Sequence, residues 1–129
     1  MNGRYLLDTN IVIALFAKDK KVLDKLSKAS EIFIPSIVIG ELYYGAYKSS
    51  HSDENISRVT NFVNSNTILP CDSETARIYG RIKNELKVKG KPIPENDIWI
   101  SAIALQYDLT LSARDTHFNE VDNLKLVTW

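Results

Sequence analysis

Four acidic residues occur in parts of the sequence where a charged side chain is unexpected. Asp8 and Asp115 each follow a short apolar segment, whereas Glu41 and Asp97 lie within segments whose other residues are mostly apolar. Burying several ionised carboxylates together is unfavourable unless a positive charge lies between them. The four acids therefore predict a shared site that holds a cation, provided that the fold brings them together.

Asp8 and Asp115 are predicted to lie at the same edge of a β-sheet. Asp8 comes directly after a strand-like segment at 5–7, and Asp115 follows another at 109–112. In an open parallel sheet, ligands bind beyond the carboxyl ends of the strands. The alternative is that Asp8 is only a turn residue and that Asp115 only caps the short helix or turn at 115–120.

Glu41 and Asp97 are predicted to lie on helices. The residues three and four positions from Glu41 are apolar or small, namely Ile37, Val38, Tyr44 and Gly45. A capping role cannot explain an acid in the middle of a helix. Asp97 begins a helix that is apolar nearly all round and is therefore predicted to be buried, although an N-cap role for Asp97 remains an alternative.

The residue types favour a hard divalent cation. Carboxylate oxygens are the ligands of Mg²⁺ and Mn²⁺, whereas zinc is bound mainly by histidine and cysteine. The chain has one cysteine, Cys71, and its histidines, His51 and His117, are predicted to be exposed and without a role. A metal held by carboxylates indicates phosphodiester hydrolysis, in which the metal activates a water and neutralises charge on the phosphate.

Short apolar strands alternate with helices along the chain, which predicts a parallel sheet covered by helices on both faces. The predicted strands are 5–7, 31–34, 67–69, 109–112 and 124–127. The predicted helices begin near residues 9, 19, 36, 54, 73 and 96. In the long helix ending near Lys89, the residues predicted to face inward are Ala76, Tyr79, Ile82 and Leu86.

Composition and charge limit the classes of protein. The 129 residues are 44% hydrophobic and 25% charged, which is typical of a single globular domain spanning 1–129. The 16 basic and 16 acidic residues exclude a globally basic nucleic-acid binder but not a local basic patch, since 77–91 holds six basic residues and one acid. The absence of a long apolar run and of a signal peptide favours a cytoplasmic protein without a membrane span.

Four stretches of the sequence together resemble the PIN-domain family, most closely its VapC-type toxin branch. They are LLDTNI (6–11), PSIVIGELYYG (35–45), NDIWISA (96–102) and LTLSARDTHF (109–118). Each motif alone is weak, but the four in this order within one short domain are specific. The resemblance implies a three-layer α/β/α sandwich with a central parallel β-sheet, in which the first and fourth strands are neighbours.

The same resemblance implies a function and partners. It indicates an endoribonuclease dependent on Mg²⁺ or Mn²⁺, the toxin of a type II toxin–antitoxin pair, in which Asp8, Glu41, Asp97 and Asp115 match the family's acidic quartet. It further implies a homodimer, and an antitoxin whose peptide covers or disorders the acidic site.

We expect different roles within the quartet. Asp8 and Asp97 are predicted to bind the metal directly, and Glu41 is predicted to be a ligand or a base acting through water. Asp115 is predicted to orient water or to hold a second metal, and Thr9 and Asn10 are candidate partners of Asp8.

Residues near the acids are predicted to help bind RNA or a protein partner. Arg114 and the basic stretch 77–91 are candidates for steering RNA phosphates, although lysines on a long helix are more often only solvated. Trp99 is expected in the core, and Tyr43, Tyr44 and Tyr47 are candidates for a dimer or antitoxin interface.

One position departs from the family pattern. The family often has threonine or serine two residues before the last acid, where this chain has Ala113. Ser112 and Thr116 are alternative sources of that hydroxyl.

Two rival functions are compatible with the residues. A phosphotransferase of the haloacid-dehalogenase kind also has an acid after its first strand, but its Asp-x-Asp motif requires aspartate where this chain has Asn10. The other rival is a catalytically silent PIN-like module that binds RNA or regulates without binding metal.

Overall fold

Five parallel strands form the centre of the protein. The computed structural model describes residues 3–129. The strands are β1 (Arg4–Leu7), β2 (Glu31–Pro35), β3 (Thr67–Leu69), β4 (Thr110–Ser112) and β5 (Leu126–Val127). The helices are α1 (Thr9–Phe16), α2 (Lys20–Lys28), α3 (Ser36–Tyr47), α4 (Ser52–Asn64), α5 (Ser73–Lys89), α6 (Glu95–Gln106) and a short 3-10 helix (Thr116–Glu120).

The sheet has the order β3-β2-β1-β4-β5, and every neighbouring pair is parallel. The chain moves outward from β1 through β2 to β3, and then returns to the other side of β1 for β4 and β5. Leu7 at the end of β1 is paired with Ser112 at the end of β4. The predicted α/β sandwich with neighbouring first and fourth strands is therefore confirmed, and the crevice between these strands is where ligands bind in such sheets.

The strands are apolar because helices cover them. Leu6, Leu7, Ile34 and Leu111 are all at most 1% exposed, and fully burying each such side chain contributes about 1.5–3 kcal/mol. This burial fixes β1 and β4 in register, and so it also fixes the backbone that follows each strand.

Helix α6 is buried as predicted from its apolar sequence. Its residues Ile100 and Ile103 join the main core, while Ile98 and Ala102 join a second apolar cluster with α5. The helix begins at Glu95, slightly earlier than predicted, with Pro94 at its N-cap. Packing on two sides holds the first turn of α6 in place.

The prediction for the inner face of α5 was partly wrong. Ile82 and Leu86 are buried, but Ala76 is exposed and Thr75 is buried in its place. Thr75 is accommodated there because its hydroxyl donates to Gln106 and its backbone N–H donates to Asp72. The helix ends as predicted at Gly90, whose φ of 71° is a left-handed conformation that favours glycine.

The last two strands are shorter than predicted, starting at Thr110 and Leu126. Trp99, which was predicted to lie in the core, is only partly buried and stacks on Tyr79 with ring centroids 4.0 Å apart. Within residues 3–129, no helix is long and apolar enough to cross a membrane.

Candidate active site

Asp8 lies at the carboxyl end of β1 and is only 6% exposed. Its backbone N–H donates to the carbonyl of Ser112 at 3.0 Å, which ties it to β4. It occupies the N-cap position of α1, but its side chain makes no capping hydrogen bond. The turn-residue alternative therefore leaves this buried carboxylate unexplained.

The electrostatics of Asp8 show that the four acids converge. The pKa of Asp8 is raised from 3.8 to about 6, mainly because the side chain is buried, while the Thr9 backbone N–H lowers it. The charges of Asp97, Glu41 and Asp115 make smaller contributions to the same rise. Three carboxylates from three other segments therefore lie within electrostatic reach of Asp8.

Asp97 lies in the first turn of α6 with its side chain 15% exposed. It is not the N-cap, because Pro94 holds that position, so the capping alternative for Asp97 was wrong. Its pKa is raised first by burial and then by the charge of Asp115, with a smaller contribution from Glu41.

Asp115 has two roles in the structure. Its carboxylate accepts a hydrogen bond from the backbone N–H of His117 at 2.9 Å, so it caps the short 3-10 helix, as one alternative predicted. The same acid also lies near Asp97, whose pKa it raises. Asp115 therefore caps the 3-10 helix and also lies close to Asp97.

His117 was predicted to be exposed and without a role; it is exposed, but its side chain contacts two of the acids. The side chain is 49% exposed, but its Nδ1 lies 2.8 Å from Asp115 Oδ1 and 3.4 Å from Asp97 Oδ2. The sequence signal was its position two residues after Asp115, at the start of a short helix that turns it back toward the acid.

Glu41 lies in the middle of α3 and is partly buried. The hydroxyl of Thr9 donates a hydrogen bond to Glu41 Oε1 at 2.9 Å. The side chain of Thr9 was predicted to support Asp8, but it supports Glu41, while its backbone N–H affects Asp8. Thr9 therefore links two of the acids.

The donor set fits a divalent cation. Ligand atoms of Asp97, Asp115 and His117 all lie within 4.8 Å of one another. Among residues 3–129, no lysine or arginine forms a salt bridge with any of the four acids. Partly buried carboxylates without a cationic partner are the arrangement that a hard metal ion stabilises.

The basic residues predicted to steer RNA are mostly engaged in ion pairs. Arg114 donates to the Trp129 carbonyl at 2.7 Å and to Asp19 at 3.2 Å. In the stretch 77–91, Arg77, Arg81, Lys83 and Lys89 pair with nearby acids. The solvated-surface interpretation therefore describes this stretch better than a phosphate-binding face.

The missing hydroxyl at Ala113 is not replaced by Ser112. Ala113 is 3% exposed, and Ser112 Oγ is buried without a hydrogen-bond partner among residues 3–129. Ser112 therefore does not hydrogen bond to any of the acids.

Comparisons with known proteins agree with this geometry. The model of the PIN domain family matches residues 5–124. Ribonuclease VapC2 of Haemophilus influenzae is 38% identical over 98% of each chain, and the tRNA(fMet)-specific endonuclease VapC of Shigella flexneri is 30% identical over 98% of each.

A solved structure extends the likeness to three dimensions. VapBC2 from Rickettsia felis, bound to a DNA fragment from its promoter, matches with a TM-score of 0.90 and 31% identity over 98% of each chain. Sequence and fold thus agree along nearly the whole chain, which therefore belongs to the PIN-domain family, within its VapC branch.

Proposed function

We propose that the protein is a divalent-metal-dependent endoribonuclease and the toxin of a toxin–antitoxin pair. The observation that carries this proposal is the convergence of four partly buried carboxylates, without a lysine or arginine partner in the described chain, at the switch point of a parallel sheet. Such a cluster destabilises the metal-free fold, and binding of a divalent ion relieves that cost.

Asp8 and Asp97 are the residues that we propose as direct ligands. Both are held by rigid backbone, at a strand end and in the first turn of a packed helix. When bound, Mg²⁺ or Mn²⁺ would neutralise phosphate charge and provide an activated water.

The remaining residues would position and tune this centre. Thr9 fixes one oxygen of Glu41 and leaves the other free to ligate or to accept a proton. His117 fixes Asp115 and reaches toward Asp97. The imidazole also widens the donor set beyond oxygen, which favours Mn²⁺ more than an all-carboxylate site would.

The relatives support the choice of substrate and partners. Two of them are named as ribonuclease or tRNA endonuclease, and the matching solved structure is a VapBC complex. We therefore propose RNA as the substrate, a cognate antitoxin as a protein partner, and a homodimer as the assembly.

The test is cleavage of a short single-stranded RNA with Mn²⁺, with Mg²⁺ or with a chelator. We expect cleavage by the unaltered chain that is lost in the chelator and in Asp8→Asn, and retained in the exposed control Asp53→Asn. Cleavage that survives both Asp8→Asn and the chelator would refute the metal site.

The same samples discriminate the rival functions. A silent module would bind the RNA without cleaving it under any condition. A phosphotransferase would form a covalent phospho-aspartate with a small phosphate ester, and we expect none because Asn10 replaces the second aspartate of that motif.

A further inference from the structure

A pocket opens directly beside the acidic cluster. It encloses about 210 Å³ between α1, α3 and α4, and Glu41 is one of its walls. We call it the Arg58 pocket and define it by Ile13, Phe16, Glu41, Leu42, Gly45 and Arg58. Glu41 belongs both to the wall of this pocket and to the acidic cluster.

Arg58 is distinguished from the other arginines by its surroundings. The chain has five arginines, all within the described residues, and the other four form ion pairs with acids. Arg58 is exposed and forms no salt bridge among residues 3–129, and its guanidinium lies 5.8 Å from the centre of the Phe16 ring. Its positive charge is therefore available to a ligand.

The pocket is open rather than incompletely packed. A Cβ built on Gly45 meets no atom within 4 Å. Ile13, on the opposite wall, is 51% exposed.

We propose that the Arg58 pocket takes one unstacked base of the RNA substrate, next to the phosphate that is held at the acids. Arg58 contacts the backbone phosphate of that nucleotide, and Phe16 and Ile13 pack against the base. This inference rests on the proposed function, because the acids define where the scissile phosphate lies.

The charges favour a nucleotide over a peptide as the occupant. A basic peptide side chain would suit the acids but would be repelled by Arg58 at the pocket. A nucleotide combines an anionic phosphate with an apolar aromatic ring, and single-stranded RNA is recognised by such stacking on aromatic and guanidinium planes. Only a base outside a duplex can enter, so the pocket also selects single-stranded RNA.

The test uses the full chain carrying Asp97→Asn, so that binding is measured without cleavage. Fluorescence anisotropy with a labelled five-nucleotide RNA compares this parent with the added changes Arg58→Gln, Gly45→Val and Gly80→Val. Gly80→Val is the matched control, because Gly80 is also a helical glycine with open space at its Cβ but does not line the pocket. Thermal melting verifies that each variant is folded.

We expect Arg58→Gln and Gly45→Val each to weaken RNA binding about five- to tenfold, and Gly80→Val to have no effect. Arg58→Gln should also reduce the slope of log affinity against log salt by about 0.7, because one phosphate contact is lost. In a series of RNAs that each lack one base, we expect one RNA to bind the parent more weakly than the others. Removing that same base should not change binding to Gly45→Val.

Unchanged RNA affinity in Arg58→Gln and Gly45→Val would overturn the inference, as would equal weakening by Gly80→Val. If these two variants bind RNA normally but weaken the complex with the co-expressed antitoxin, the pocket belongs to the protein partner and the inference is also wrong. Failure of the proposed function gives a different result, in which the unaltered chain does not cleave RNA while the pocket variants still lose binding.

Discussion

Two acids in the first turn of α6 illustrate how differently this protein treats carboxylates. Glu95 is exposed and accepts hydrogen bonds from Lys83 and from the Tyr79 hydroxyl, and these contacts lower its pKa. Asp97, two residues later, is partly buried, has no lysine or arginine partner, and has a raised pKa. The same helical turn thus holds an acid that is stabilised by its surroundings and one that is not.

The same contrast extends to the two regions that these residues belong to. On the outer face of α5, acids and bases are paired with each other, as in Arg77 with Glu74 and Lys89 with Asp122. At the carboxyl edge of β1 and β4, the acids face other acids. The net charge of zero conceals this difference, because basic residues elsewhere in the chain balance the charges of the four acids.

Selection for stability does not favour a cluster of acids without compensating positive charges. Removing one residue of a buried ion pair destabilises a protein, because the opposite charge is left without a partner. Acids that face only other acids have no such partner to lose. Perturbed carboxylates gathered in a crevice are instead typical of functional sites. The comparison therefore predicts that changes in the two regions have opposite consequences for activity and for stability.

The largest expected effect comes from exchanging the two acids of α6. Asp97→Asn should lower RNA cleavage more than about a hundredfold, because it removes a proposed metal ligand. Losing a residue that only hydrogen bonds to a metal ligand already lowers metal affinity or activity about 10–100-fold. Glu95→Gln should leave cleavage within about twofold, since surface ion pairs contribute little. Cleavage rates under matched metal concentrations measure both, and similar losses in the two variants would contradict the distinction.

The second prediction concerns stability in the absence of metal. Asp8→Asn should raise the free energy of unfolding by about 2 kcal/mol at pH 7 in a chelator. A pKa raised from 3.8 to about 6 means that ionising Asp8 costs the folded state about 3 kcal/mol. The variant recovers only part of this free energy, because burying the polar amide is itself unfavourable. Urea unfolding of the two proteins measures this difference.

The pH dependence of unfolding tests whether ionisation of Asp8 causes this difference in stability. The folded state of the unaltered chain binds more protons than the unfolded state between about pH 4 and pH 6, so its stability falls as pH rises through that range. The advantage of Asp8→Asn should therefore be small near pH 4 and complete above pH 7. Saturating Mn²⁺ should reverse the order, because metal stabilises only the intact site. If the stability gained by Asp8→Asn does not depend on pH, the Asp8 side chain destabilises the fold by its shape and not by its charge.

Much of the fold could be predicted because its signals are local and repeated. Apolar strands alternating with amphipathic helices gave the α/β class, and the four motifs gave the neighbouring first and fourth strands. The convergence of Asp8 and Asp115 followed from parallel topology, since strand ends meet at one edge of a sheet. Glu41 was predicted to join them because an acid in the middle of a helix has no capping role and its helical neighbours are apolar or small.

The details that were missed depend on side-chain contacts between distant segments. Nothing in the sequence indicates that Thr9 reaches Glu41, 32 positions away, or that Arg114 is engaged by Asp19. The buried position of Thr75 in place of Ala76 follows from its bond to Gln106, which periodicity cannot show. Histidine is common on surfaces, so His117 became informative only when its ring was placed between two acids.

A third prediction uses the two histidines to sharpen the contrast between the acidic edge and the rest of the surface. His117→Ala should weaken Mn²⁺ binding about tenfold, because the imidazole holds Asp115 and reaches toward Asp97, and losing such a supporting contact typically costs 10–100-fold in metal affinity. His51→Ala is the control, since His51 is exposed at the start of α4. Thermal melting during Mn²⁺ titration reports affinity independently of RNA cleavage, and equal affinities in the two variants would exclude a role for His117.

The smallest expected effect tests whether the acidic edge depends on neutral contacts as well as on charge. Thr9→Val removes the hydroxyl that donates to Glu41 while keeping a side chain of similar shape, so Glu41 loses one fixed oxygen. We expect cleavage to fall about fivefold, the equivalent of about 1 kcal/mol for one hydrogen bond. Thr9→Ser keeps the hydroxyl and should restore most of the rate. If Thr9→Ser and Thr9→Val lose activity equally, the contribution of Thr9 lies in its packing or its backbone, and Glu41 is positioned by α3 alone.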